Sequence, residues 1–272
     1  MGTPINDDLT WHFSRLNHRT DSTGPGTKCL VVFVPGLFSG WPGFRNYDDL
    51  LTLVDRAIVE RFSKRDFLPV SYLATFWSPS DPDQIARKIG QQIDELTQQQ
   101  HYDAIVIVSH SFGGLLARRL LILSQQRPWF RKLDRVLFLA STSRGLHPAT
   151  RLQSIAVTLG KRLGGWSYFG GLALAGMKPS PWLTSLSNDW RALLASTVGQ
   201  RLQVVQLLGE LDRVVDPGED DDLLSHAHFQ KYVMPAARHR YFMLRRVWFD
   251  QVDAEVGATL RLTQQFIENA LR

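Results

Sequence analysis

The sequence predicts an α/β fold: a mostly parallel sheet with helices on both faces and a helical insertion within it. Three observations carry this. Apolar runs of strand length alternate with longer segments of helical spacing, the rhythm of parallel strand–helix–strand units. One such run, residues 103–108, breaks at a serine set among small residues and gives way at once to a helical pattern. From 143 to about 197 the rhythm stops, and no convincing strand occurs. At 272 residues the chain can bury a substantial core as one domain over 1–272, with 143–200 inserted into it.

Taken in order, the first 27 residues are weakly patterned, with an early strand expected over 9–16. Residues 28–34 (Lys-Cys-Leu-Val-Val-Phe-Val) form a strong buried strand ending in Pro35-Gly36. Leu50, Leu51, Val54, Ile58 and Val59 recur at helical spacing, so 48–62 reads as a helix. Residues 68–76 read as the next strand. At 81–84, Asp-Pro-Asp-Gln sets a capping aspartate before a proline at the first helical position, with a glutamine three on from the cap. That helix runs to about 100. The strand over 103–108 is followed by a helix over 115–124 and a strand over 133–140. The insertion sets six glycines between 160 and 176 among Trp166, Tyr168, Phe169, Leu172 and Leu174. Its longest uncharged stretch, 163–177, has 15 residues, short of the roughly 20 a membrane-crossing helix needs. The strand pattern resumes at 202–208; a helix then runs from Asp216 to about 228, a short strand covers 232–234 and a terminal helix 252–271.

Composition narrows the function. The net charge is +5, yet the basic residues are dispersed in small groups such as Arg118-Arg119 and Arg245-Arg246. No stripe or module for nucleic acid emerges. The single cysteine, Cys29, excludes an intramolecular disulfide and reads as a core residue of its strand. The N-terminal residues show no basic start followed by an apolar run, so a cytoplasmic location is expected. The acidic cluster at 219–222 has no histidine at ligand spacing, and no metal or other cofactor is expected.

The chemistry centres on Ser109-His110-Ser111-Phe112-Gly113. A serine on a sharp strand-to-helix turn presents its hydroxyl for attack on a carbonyl, and its neighbours are small because the helix leaves so close to the strand. Ser109 stands where the pattern has its first glycine. Ser111 is the candidate nucleophile. It needs a base to take its proton and a carboxylate to orient that base. Both follow, each just beyond the carboxyl end of a strand, the edge where open α/β sheets bind ligands. Asp212 follows the strand at 202–208 and His239 the strand at 232–234. Glu210 is the rival carboxylate, whereas Asp216 reads as a helix cap completed by Glu219. Among the other histidines, His110 aims away from the nucleophile's face and His226 and His228 read as parts of the preceding helix. His12, His18, His101 and His147 have no strand-end setting. Charge developing on the carbonyl oxygen needs preset donors, for which the backbone N–H groups of Phe112 and Leu37 are the candidates.

Val34-Pro-Gly-Leu37, Ser109-His-Ser-Phe-Gly-Gly114 and Gly209-Glu-Leu-Asp-Arg-Val-Val215 resemble the α/β-hydrolase superfamily, in its lipase and esterase branch. The resemblance covers about residues 28–272, and Ser185–Trp190 is similar to inositol-deacylase-like lipases. It implies a three-layer fold with an eight-stranded, mostly parallel sheet and a lid after the sixth strand, here about 143–200. Two departures stand out: Pro35 where many members carry histidine, and Ser109 at the first elbow position. The resemblance would call for aspartate at the elbow in dehalogenase or epoxide hydrolase chemistry, and Ser111 argues against both.

The expected activity is hydrolysis of carboxylic esters, small-molecule or lipid-like, through an acyl-enzyme formed on Ser111. Trp166, Phe169 and Trp182 are expected either to line an acyl pocket or to pack against the sheet as a cap. A thioester would use the same groups. A non-catalytic binding protein on the same fold and a lipase in peripheral contact with membranes are the other readings.

Overall fold

The computed structural model describes residues 26–36, 47–72, 81–141, 145, 180–212, 215, 226–235, 237 and 254–271. Its strands are β1 (Lys28–Val34), β2 (Lys64–Pro69), β3 (Ala104–His110), β4 (Leu133–Leu139), β5 (Gln203–Gly209) and β6 (Phe229–Met234). They form one sheet in the order β2-β1-β3-β4-β5-β6, every neighbouring pair parallel. The helices are α1 (Asp48–Ile58), α2 (Pro82–Gln99), α3 (Gly113–Leu123), α4 (Pro181–Ala195) and α5 (Ala254–Leu271).

Successive side chains on a strand point to opposite faces, and the sheet is apolar on both. On β1, Leu30, Val32 and Val34 enter a core built with α2, α3 and α4, whereas Cys29, Val31 and Phe33 enter one built with α1 and α5. Two cores on the two faces of one sheet make the three layers expected. Cys29 is wholly buried, and burial above all, with Asp134's charge adding to it, pushes its thiol up to about 12. It is a packing residue, not a nucleophile.

Local signals account for most boundaries. Asp81 caps α2 through its side chain, which accepts from the Asp83 N–H at 2.9 Å, with Pro82 in the first turn. Three expectations need correction. The strand read at 68–76 runs instead over Lys64–Pro69, although it opens on three charged residues. Two of those charges are paired: Arg65 donates to Asp55 at 2.6 Å and to the Phe62 carbonyl at 2.7 Å, and Asp66 meets Lys28 and the Tyr102 hydroxyl, both at 2.7 Å. The last strand starts earlier, at Phe229, as a half-exposed strand paired to β5. His226 is not helical and Ala227-His228 form the turn into β6, where the His228 carbonyl accepts the Val204 N–H at 3.0 Å. The early strand at 9–16, Asp216 with Glu219, and 146–179 of the expected lid lie outside the described residues. Among the described residues no helix is long and apolar enough to cross a membrane.

Two ionic clusters tie helices to this frame. Arg135 on β4, itself buried, donates to the Ala270 carbonyl in the last turn of α5 at 2.7 Å and to Asp134 at 3.0 Å. A cation there satisfies a carbonyl with no intrahelical partner and favours the negative helix end. Arg135→Ala is expected to lower stability by about 1–3 kcal/mol, the usual worth of hydrogen bonds to charged groups, read as a shifted urea midpoint.

On the other face, Arg119 of α3 grips Asp83 of α2 (Nε–Oδ1 2.8 Å, Nη2–Oδ2 2.5 Å) and Asp189 of α4 (2.8 Å), while the Trp182 indole N–H donates to Asp83 at 2.8 Å. Burial of Asp83 opposes ionisation, but the Arg119 and Trp182 hydrogen bonds outweigh it and lower its pKa. A carboxyl depressed in the fold stabilises it fully above the unfolded pKa, near 3.8. That stabilisation is lost as pH falls through the lower folded value. Asp83→Asn should therefore reduce the melting temperature at pH 7 and leave a smaller gap from wild type as pH drops below about 4. An unchanged gap across that range would count against this anchoring of α4.

Candidate active site

β1 lies between β2 and β3, so the chain leaves β1 toward one side and returns on the other. At such a reversal the loops beyond the strand ends diverge and open a crevice at the carboxyl edge. The loops in question carry Pro35-Gly36 and Ser111.

Ser111 stands between the end of β3 and the start of α3 with φ 53°, a left-handed conformation that costs a non-glycine residue roughly 1–3 kcal/mol. Its N–H continues the ladder to the Leu139 carbonyl at 2.9 Å, while its own carbonyl already accepts the Gly114 N–H at 3.0 Å. Strand thus becomes helix across a single residue. Glycine at 113 is compulsory here, because an added Cβ would lie 2.1 Å from the Val34 carbonyl oxygen and 2.4 Å from that of Pro35. Ser109 fits in the first elbow position because it is fully buried and its hydroxyl donates to the Leu137 carbonyl on β4 at 3.3 Å.

The Pro35-Gly36 loop rests directly against the elbow. A Cβ on Gly36 would sit 2.8 Å from that of Ser111, so only glycine lets the two backbones approach so closely. Two tyrosines, Tyr72 buried and Tyr47 partly buried, hold the loop. Tyr72 donates to the Pro35 carbonyl at 2.5 Å, and burial first, with Tyr47 adding to it, raises its pKa. Tyr47 is raised to about 12 by burial, with the Gly36 N–H at its oxygen opposing. Neither tyrosine was foreseen, since their sequence positions give no hint of a shared loop. Leu37, the expected donor one residue on, lies outside the described residues. Phe112 is buried and opens α3, where first-turn N–H groups have no intrahelical acceptor.

Asp212 ends the turn after β5. It is only 7% exposed, and its Oδ1 accepts the Val215 N–H at 3.0 Å. Glu210 is exposed, which separates the two rival carboxylates: an orienting acid belongs in a buried position. His239 lies outside the described residues, but the chain two residues before it does not. The Ala237 carbonyl accepts the Leu211 N–H at 3.0 Å and would lie 2.4 Å from a Cβ on Gly209. The segment leading to 239 is therefore stitched to the turn that carries Asp212.

The described histidines fall elsewhere. His101 pairs with Asp103 before β3, and His226 meets the Leu202 carbonyl at 2.8 Å before β5, both at the amino edge of the sheet. The His110 ring lies against Tyr47, with Nδ1 3.4 Å from its hydroxyl. Trp182 stands in the first turn of α4, its N–H on Asp83; Trp166 and Phe169 lie outside the described residues. Among the described residues no three His, Cys, Asp or Glu side chains gather as for a metal. Ser141 and Gln206, which bond toward the elbow from behind, also went unforeseen.

This arrangement of sheet, elbow and rim belongs to one group of proteins. Residues 31–257 match the alpha/beta hydrolase family, and the chain belongs to it. Its fold is similar to that of a monoacylglycerol lipase from Paleococcus ferrophilus (17% identity, TM-score 0.54, covering 89% of this chain and 94% of that one). It is also similar to that of carboxyl esterase 2 from Tuber melanosporum (15% identity, TM-score 0.55, covering 90% and 78%). Phospholipase PlaB from Legionella pneumophila matches at 20% identity and TM-score 0.48 over 66% of this chain, which spans 38% of that protein's length. No curated protein matches by sequence.

Proposed function

We propose that the chain is a serine hydrolase cleaving carboxylic esters with apolar acyl chains through an acyl-enzyme on Ser111. The observation that carries this is Ser111 itself, held at φ 53° between β3 and α3 with Gly36 packed against it. A strained serine at the carboxyl edge of a parallel sheet is a costly arrangement that suits a nucleophile. In the proposed reaction His239 takes the Ser111 proton as its oxygen attacks the carbonyl, and Asp212 holds the imidazole and steadies its cation. The Leu37 and Phe112 N–H groups receive the oxyanion. His239 then protonates the leaving alcohol, and water, activated by the same ring, releases the acid. The buried Asp212 and the Leu211–Ala237 bond beside it support this assignment. Parallel-sheet helices begin at the carboxyl edge, so the first turn of α4 supports Trp182 as part of the acyl pocket, to which Trp166 and Phe169 are assigned from the sequence alone.

The test is a panel of p-nitrophenyl esters of rising chain length, with thioesters alongside. Turnover should depend on chain length and fall at least about 10⁴-fold in Ser111→Ala, the scale of losing a nucleophile. A folded wild-type protein that turns over nothing in the panel would favour a binding role.

A further inference from the structure

We propose that Ser141 and Gln206 form a buried hydrogen-bond relay that aims the Phe112 N–H, acting as positioning residues; this rests on the ester-hydrolase reading above. Ser141, two residues past β4, is wholly buried, and its hydroxyl donates to the Ser111 carbonyl at 2.6 Å. Gln206, in the middle of β5, is wholly buried too, and its amide donates to the Ser141 carbonyl at 2.6 Å. Side chains thus link β5 to β4 to the end of β3, beyond the backbone ladder. A glutamine amid the buried run of β5 carries a desolvation cost that an apolar residue would avoid.

The packing around Ser141 is made to measure. A Cβ on Gly114 would lie 2.2 Å from the Ser141 Oγ and 2.4 Å from its Cβ, so the bare glycine is what admits this side chain. Ala140, just before it, has φ 44°; among the described residues it and Ser111 are the non-glycine residues in the left-handed region. Both strained positions are thus joined through one hydroxyl.

The consequence follows from peptide planarity. The Ser111 C=O and the Phe112 N–H belong to one rigid trans unit and point in opposite directions. Fixing the carbonyl from behind fixes where the N–H points in front, toward the oxyanion of the proposed reaction. Donation to the carbonyl also polarises the unit and strengthens that N–H as a donor.

The test compares Ser141→Ala and Gln206→Met with wild type, well below their melting temperatures, in two measurements. One is kcat and KM on a short-chain p-nitrophenyl ester. The other is hydrogen–deuterium exchange of a peptide spanning 109–116. The relay requires kcat to fall about tenfold or more, short of the roughly 10²–10³ lost with an oxyanion donor itself, with KM within about twofold. It also requires faster exchange in 109–116, with β1 unchanged. Wild-type kcat in both folded variants, or unchanged exchange through 109–116, overturns it. Should the wild-type protein hydrolyse no ester, exchange alone decides the relay, and the failure falls on the hydrolase reading. Gln206→Met, remote from the turn, keeps the comparison open if Ser141→Ala does not fold.

Discussion

Ser111→Gly is expected to extinguish ester turnover while making the protein more stable than Ser111→Ala by about 0.5–1 kcal/mol, the net of roughly 1–2 kcal/mol of relieved strain. The two variants lose the same hydroxyl and differ in one respect. Alanine keeps a Cβ at φ 53°, where it crowds the following carbonyl, and glycine does not. Part of the gain is offset by the greater freedom glycine has in the unfolded chain, worth about 0.5–1 kcal/mol. Thermal unfolding of both variants reads the difference directly. Equal stabilities would mean the turn stores no strain, and the main support for Ser111 as a nucleophile would go with it. Catalytic loss coupled to stability gain is what a site formed against local preference predicts.

Gly113→Ala is the second large effect. The new Cβ would meet two main-chain oxygens, those of Val34 and Pro35, at 2.1 and 2.4 Å. Neither can swing aside as a side chain could. β1 and α3 must separate, and the cost should exceed the roughly 1–3 kcal/mol typical of overpacking. Gly90→Ala in α2 is the control. Its Cβ would meet the Ser124 hydroxyl at 3.2 Å, a Leu120 methyl at 3.4 Å and the Arg127 Nε at 3.5 Å, all side-chain atoms. A small shift of Ser124 relieves that contact, and better helix propensity returns up to about 1 kcal/mol. Chemical denaturation should show Gly113→Ala as the far more damaged variant, with the ester activity lost alongside. Similar midpoints for the two would refute the close contact of β1 with the elbow.

Much of the fold was legible because the central strands declare themselves. β1, β3, β4 and β5 are buried on both faces, so each carries a core of consecutive apolar residues, and their bounds fall within two residues of expectation. α2 was legible from its cap. β2 was not, since Lys64, Arg65 and Asp66 look like loop until the partners of Arg65 and Asp66 on α1, β1 and before β3 are seen. The site divides in the same way. Ser111 and Asp212 stand out because each follows a recognisable strand at once. Tyr72, Ser141 and Gln206 act through neighbours 30 or more positions away, and Tyr47 through Gly36 across an intervening loop, and no local pattern encodes such partners. Gln206 did leave one trace: a lone amide in Val-Val-Gln-Leu-Leu, where every neighbour is apolar.

The seating of Gly113 under Val34 and Pro35 has a further outcome. The Pro35-Gly36 end of β1 and the first turn of α3, which carries Phe112, are clamped into a single block and must travel together. Residues of the proposed acyl pocket, and the segment over 143–180, can then lengthen or be exchanged for those of a lipase without retuning the reacting centre. Grafting a foreign segment between Ser143 and Ser180 should accordingly change which chain lengths are accepted and leave the intrinsic reactivity toward a small acetate ester within a few-fold of its starting value.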